Sequence, residues 1–293
     1  MKSMTLYLKY IFFVIITFCL LLVACKKDDV KVTATKNEAA GLQRIDSLTQ
    51  GDYTFYIYKK DTGNFVVGYN EIYIQLKNKA TGKFVEDANL SWKPLMHMDS
   101  THIHSCPYSV ISKVPNTNTL YNGYFIFIMA SDDMEYWEIT FNYINGIDTL
   151  ATVSDRPIVV YTTGRVRYQS FTGADNNSFY FLALVNPTQP KVGPNDITAY
   201  LYKKVDLLTF TQVENYTIKI DPRMPGMGNH TSPNNVDLTY NSASYIYNGT
   251  LNLTMTGYWK INIIVLDANN IVVKGEAVTE TNLASSLYFE IEF

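Results

Sequence analysis

The chain has 293 residues, with 24 basic side chains against 27 acidic ones and a formal charge of −3. No basic stripe runs through it, which excludes the electrostatic footprint of a nucleic-acid binder. Its 23 tyrosines and 15 phenylalanines, with Val, Ile and Thr filling most other runs, favour pleated, half-buried strands.

The chain opens as an export signal. Lys2 and Lys9 supply a positive start, and Ile11 to Val23 form an apolar run of 13 residues. A spanning helix needs roughly 20 apolar residues, so this run is too short to cross a bilayer and has the length of a signal core. It ends in Leu22-Val23-Ala24-Cys25, which resembles the bacterial lipobox. That resemblance implies cleavage before Cys25 and lipidation of its thiol and new amino terminus; several acyl chains on one residue anchor firmly. An ordinary secretory signal or an uncleaved anchor helix fits less well with a small residue before the cysteine and Lys26-Lys27-Asp28-Asp29 after it. Lys26 stands where the inner-membrane retention rule of enteric lipoproteins needs Asp. The expected place is therefore the outer membrane, facing the periplasm or the cell surface. Without residues 1–24 the chain keeps 22 basic and 27 acidic residues, a charge of −5. Only Cys106 then accompanies Cys25, so no disulfide between two further thiols can form.

Residues 25–42 read as the lipidated cysteine and a flexible tether. Beyond them the chain repeats itself. Gly68-Tyr-Asn-Glu-Ile72 returns as Gly193-Pro-Asn-Asp-Ile197, and Tyr121-Asn-Gly123 as Tyr247-Asn-Gly249. Met129 falls opposite Met255, and Trp137-Glu-Ile matches Trp259-Lys-Ile after four extra residues in the first copy. Copy one spans about 43–162 and copy two about 163–293.

The first copy predicts strands at Tyr53–Tyr58, Glu71–Leu76, Tyr124–Met129 and Trp137–Tyr143. The second predicts them at Phe179–Leu184, Ile197–Tyr202, Leu251–Met255 and Trp259–Val265. Asp61-Thr-Gly, Asn145-Gly and Asn248-Gly read as turns between strands. No amphipathic helix of 10 or more residues follows the signal. Six to eight short strands in about 120 residues is the pattern of an immunoglobulin-like sandwich, so the expected fold is all-β, two such sandwiches in tandem.

Methionine and histidine are placed unevenly. Outside the signal, Met96, Met98, Met129, Met134, Met224, Met227 and Met255 and the four histidines gather in matched places. One is a stretch read as a polar loop, Pro94 to Pro107 against Pro222 to Pro233. The other is the end of the strand carrying Met129 or Met255. Packing methionine would scatter through strands. Thioether sulfur with imidazole suits copper, whereas hard ions want oxygen ligands and zinc more His or Cys than copy two has. The expected ligand sets are Met96, Met98, His104 and Met129 in copy one and Met224, Met227, His230 and Met255 in copy two. His97 and His102 are additional candidates. Cys106 matches Ser232 and reads as a free thiol near the site, and Met134 as incidental. The competing account makes these residues an apolar lid at one end of each sandwich.

Copy two carries Met224-Pro-Gly-Met227-Gly-Asn-His230, Tyr247-Asn-Gly249 and Met255-Thr-Gly-Tyr-Trp259. With Gly-x-Asn before a strand, this resembles the YtkA-like/FixH-like domain. Copy one departs from the pattern in Met96-His-Met98 and in its longer Met129-to-Trp137 spacing. The resemblance implies an exported immunoglobulin-like sandwich, sometimes associated with copper-handling proteins.

The leading expectation is a non-enzymatic, lipid-anchored envelope protein that binds copper through these clusters, buffering it or passing it to a donor or acceptor protein. The alternative is an interaction module whose two sandwiches present a surface to an envelope protein or a glycan, without metal. Catalysis ranks third, since copy two has one histidine with no acid at a telling distance, and Cys106 two residues from His104 is weak geometry for a thiolate, with only Ser232 at the matching place in copy two.

Overall fold

The structure is a computed structural model that describes residues 37–293 apart from 61, 62, 100, 146, 147 and 159. The expected export signal and lipidation site at Cys25 lie outside the described residues, as do Asp61 and Thr62 of one expected turn and Gly146 of another. Among the described residues no helix is long and apolar enough to cross a membrane.

The aromatic and β-branched runs form strands, as their branched and planar side chains favour. The first copy contains β1 (Gln43–Gln50), β2 (Tyr53–Lys59), β3 (Phe65–Val66), β4 (Gly68–Asn78), β5 (Asn89–His97), β6 (Ile103–His104), β7 (Ser112–Lys113), β8 (Tyr121–Phe127), β9 (Tyr136–Asn145), β10 (Asp148–Ile158) and β11 (Val160–Tyr161). The second contains β12 (Tyr168–Thr172), β13 (Phe179–Asn186), β14 (Gly193–Lys204), β15 (Phe210–Gln212), β16 (Thr217–Met224), β17 (His230–Thr231), β18 (Val236–Asn241), β19 (Ile246–Leu253), β20 (Tyr258–Leu266), β21 (Val272–Lys274) and β22 (Tyr288–Glu292). The only helical element among the described residues is a 3₁₀ turn at Pro225–Met227.

Copy one is a sandwich. A sheet ordered β1-β2-β4-β8-β7 faces one ordered β10-β9-β5-β6. Phe55, Ile72, Ile74 and Phe125 of the first meet Trp92, Trp137, Ile139 and Phe141 of the second in one buried cluster. Copy two repeats the order as β12-β13-β14-β19-β18, with β16 and β20 paired as β5 and β9 are. It differs at one seam, where β18 also pairs with β16 through Thr217–Thr239 and Ile218–Leu238, joining both layers into one continuous sheet. Trp137 and Trp259 sit fully buried at corresponding places. Burying a large apolar side chain contributes roughly 1.5–3 kcal/mol.

The repeated Gly-x-Asn is structural. Gly68 and Gly193 take φ of +99° and +98°, the left-handed side that glycine tolerates. Two residues on, Asn70 donates to the carbonyls of Val66 (2.7 Å) and Gly68 (2.9 Å), and Asn195 to those of Lys191 (2.8 Å) and Gly193 (2.9 Å). Each amide thereby satisfies the carbonyls exposed by the bend entering the strand.

Three expectations change. Asn248-Gly249 is not a turn but lies within β19, and Asn122-Gly123 lies within β8. A Cβ on Gly249 would stand 2.4 Å from the Val236 carbonyl oxygen, so this glycine admits a close strand approach. The end of the expected tether is docked. Ala39 is buried with Tyr58, Tyr73 and Leu120, and Glu38 accepts bonds from the Asn118 and Thr119 amides at 2.8 Å each. Finally, Pro94–His97 and Pro222–Met224 belong to β5 and β16 rather than to loops.

The outer faces of the two copies meet. Ile126 packs with Phe181, Ala183 and Tyr202, surrounded by Tyr69, Tyr124, Tyr168 and Tyr200. Tyr124 and Tyr202 share a hydroxyl–hydroxyl bond of 2.7 Å, and the Ser105 amide donates to the Leu207 carbonyl at 2.8 Å.

Candidate functional site

The copy-one cluster is built on the β5–β6 hairpin. Met96 lies directly across from His104 on one side and from Trp137 on the other. Directly opposed residues share a face of the sheet, so Met96, His104 and Trp137 all face inward. The Trp137 ring stands edge-on to the His104 imidazole, 5.4 Å between centroids. The hairpin is closed by Asp99, whose carboxylate accepts from the Thr101 and His102 amides at 2.7 Å each. Those bonds hold its carboxyl well below the usual carboxylate range.

Met129 follows β8, and its carbonyl accepts a 3.0 Å bond from the Trp137 indole. Its sulfur then lies 3.2 Å from His104 Nε2. The other ring nitrogen, Nδ1, sits 2.9 Å from the Ser105 carbonyl. A carbonyl only accepts, so Nδ1 carries the proton, assigned here from the hydrogen-bond network. In the neutral ring, Nε2 therefore turns a bare lone pair toward a thioether. Two electron-pair donors at that distance call for a proton or a soft cation between them.

This pair lines a cavity of about 230 Å³ at the joint between the copies. Tyr168, Phe179, Phe181 and Phe210 form an apolar wall from copy two, and Lys204 is the charged residue of the lining. The sequence reading missed this wall. Its signal was the aromatic alternation of Phe179-Tyr-Phe181, which leaves two rings on the face away from copy two's own core.

The remaining candidates scatter. Met96 is fully buried in the core cluster, so it is a packing methionine whose strand brings it beneath the histidine. Met98 is 38 % exposed at the hairpin mouth. His97 is removed from the set, because successive strand residues point to opposite faces. It stacks on Tyr136 at 4.9 Å and stands 3.5 Å from a Glu138 oxygen, without hydrogen-bond alignment. His102 turns outward to Asp99, 2.7 Å from its carboxylate. Met134 is 81 % exposed, in the insertion. Cys106 is fully buried in the core, which pushes its thiol pKa up. Its counterpart Ser232 is also buried, and its hydroxyl has no partner.

Copy two keeps the frame without the contact. Met224 pairs with His230 across β16 and β17, and Trp259 donates to the Met255 carbonyl at 3.0 Å. Met224 is buried, however, and Met255 is half-buried against the core. Met227 is 57 % exposed on the 3₁₀ turn, and the exposed His230 ring lies 6.5 Å from Trp259 and makes no hydrogen bond to sulfur among the described residues. Of the two expected ligand sets, that of copy one brings a histidine nitrogen within hydrogen-bond distance of a sulfur atom. Among the described residues no three His, Cys, Asp or Glu side chains converge as a metal-holding group.

No family model matches the chain, and no curated protein matches it. Among solved structures it is similar to a DUF4785 family protein from Legionella pneumophila, at 10 % identity over 76 % of this chain and 55 % of that one, with a TM-score of 0.26. The chain thus spans about half the length of that neighbour, and at so low a TM-score the likeness assigns no function.

Proposed function

We propose that the protein is a non-enzymatic, lipid-anchored envelope protein that takes one soft monovalent metal ion, Cu(I), between His104 Nε2 and Met129 Sδ, with copy two serving as scaffold. It would buffer copper or pass it to a partner protein at the outer membrane. The YtkA-like/FixH-like resemblance belongs to this proposal. The observation that carries it is His104 Nε2 facing the Met129 thioether at 3.2 Å while Nδ1 is held by the Ser105 carbonyl.

Chemistry narrows the ion. Imidazole and thioether together suit copper, and sulfur favours its lower oxidation state. Lys204 in the same cavity repels a monocation less than a dication. A thiol nucleophile is disfavoured, because burial keeps Cys106 protonated.

The test is a Cu(I) titration of the purified protein against a competing chelator. We expect one ion per chain. His104→Ala and Met129→Leu should each weaken uptake at least tenfold, whereas Met224→Leu and His230→Ala should not. Two equal sites, or none, would remove the reading.

A further inference from the structure

A second concavity lies at the joint, separate from the His104–Met129 cavity and sharing no residue with it. It has a volume of about 480 Å³, within the range of small-molecule sites. Its floor is a tyrosine stack drawn from both copies. Tyr124 stacks on Tyr200 at 4.4 Å and Tyr69 on Tyr200 at 5.9 Å, while the Tyr124 and Tyr202 hydroxyls are bonded to each other.

One wall carries Glu71. Its carboxylate is oriented by Lys60 at 2.7 Å and by the Asn122 amide at 3.1 Å. Tyr73 also hydrogen-bonds the carboxylate, and of its roughly four acceptor positions one is left for an incoming donor. The rim carries Tyr245, which is 61 % exposed and has a φ of +55°, a conformation that tyrosine rarely adopts. The Gln212 amide fastens its backbone by donating to the Tyr245 carbonyl. No other ring among the described residues packs on Tyr245, so its face is free to receive a ligand.

From this geometry we infer that the groove is a binding site for a neutral oligosaccharide. A sugar ring offers an apolar C–H face to tyrosine and hydroxyl edges to a carboxylate and amides. The lining supplies both, with tyrosine faces beside Glu71, Asn122 and Gln212. No lysine or arginine lines the groove, and the neighbouring Lys60 is paired with Glu71, so a polyanion finds no free cation there. A lipid or an apolar protein loop would strip water from Glu71 and return no hydrogen bond. Hydroxyl donors do return one. The inference is independent of the copper reading, because neither His104 nor Met129 contributes.

The test is calorimetric titration of the metal-free full chain with neutral hexasaccharides of β-1,4-linked glucose, α-1,4-linked glucose and β-1,4-linked N-acetylglucosamine, with heparin as the polyanion. At least one neutral hexasaccharide should bind. Tyr245→Ala and Glu71→Gln should each weaken it at least tenfold with the melting temperature unchanged, and Tyr245→Phe should keep it. Binding to none of the three, binding indifferent to both substitutions, or binding to heparin alone would overturn the assignment.

Discussion

The indole nitrogen of Trp137 donates a 3.0 Å hydrogen bond to the carbonyl of Met129, eight residues before it. Copy two makes the same 3.0 Å bond from Trp259 to Met255 across only four residues. The insertion of copy one is therefore looped out at a turn closed by Asp132, whose carboxylate accepts from the Met134 and Glu135 amides. The bond survives because a partly buried carbonyl that loses its donor is costly. It also sets where the Met129 sulfur can stand.

Replacing either indole should show this. Trp137→Phe and Trp259→Phe each leave a carbonyl unpaired, and each should lose roughly 1–3 kcal/mol from that bond, beyond the repacking of a smaller ring. Urea unfolding measures the loss. Only Trp137→Phe should also weaken Cu(I) uptake, since only its methionine touches a histidine.

The Tyr124–Tyr202 bond ties the two copies together at 2.7 Å. Tyr124→Phe strands the Tyr202 hydroxyl in a mostly buried place and should cost roughly 1–3 kcal/mol. The double variant with Tyr202→Phe should cost less than the sum of the two single ones, since the second change removes the stranded group. Additive costs would mean that the hydroxyls do not depend on each other.

Cys106 makes stability depend on alkaline pH. An unfolded thiol loses its proton near pH 8.5, whereas burial pushes that of Cys106 well above this. Over that interval the native state binds more protons than the unfolded one, so stability falls as pH rises. Cys106→Ala should flatten the decline between about pH 8.5 and 10. Above that, Tyr69, Tyr124 and Tyr168, all raised by burial, should continue it. Denaturant midpoints across this range give the slopes, and the native thiol should resist iodoacetamide until the chain unfolds.

The fold was largely legible because repetition and alternation are local signals. Tyr121-Asn-Gly123 and Tyr247-Asn-Gly249 mark corresponding strands, although Asn248-Gly249 by itself reads as a turn. What misled there is that a glycine relieving a clash between strands looks, in sequence, like one opening a hairpin. The site was half legible. Met96 and His97 are neighbours on a strand, and the alternation rule alone sends them to opposite faces once Pro94–His97 is seen as strand rather than loop. The same change makes Met96 and Met224 core residues, since a thioether fills a gap and binds a soft ion with the same atoms. The joint between the copies was not legible. Tyr69, Tyr124 and Tyr200 sit at positions that a sandwich standing alone would give to solvent, and only the second copy explains them.

The measurement that bears most directly on the account is X-ray absorption at the copper edge on protein loaded with one equivalent of Cu(I). A mixed nitrogen and sulfur shell is expected, its sulfur contribution lost in Met129→Leu and its imidazole contribution lost in His104→Ala. A shell of nitrogen and oxygen alone, or one that both substitutions leave intact, would contradict the pairing of His104 with Met129 on which the functional reading stands.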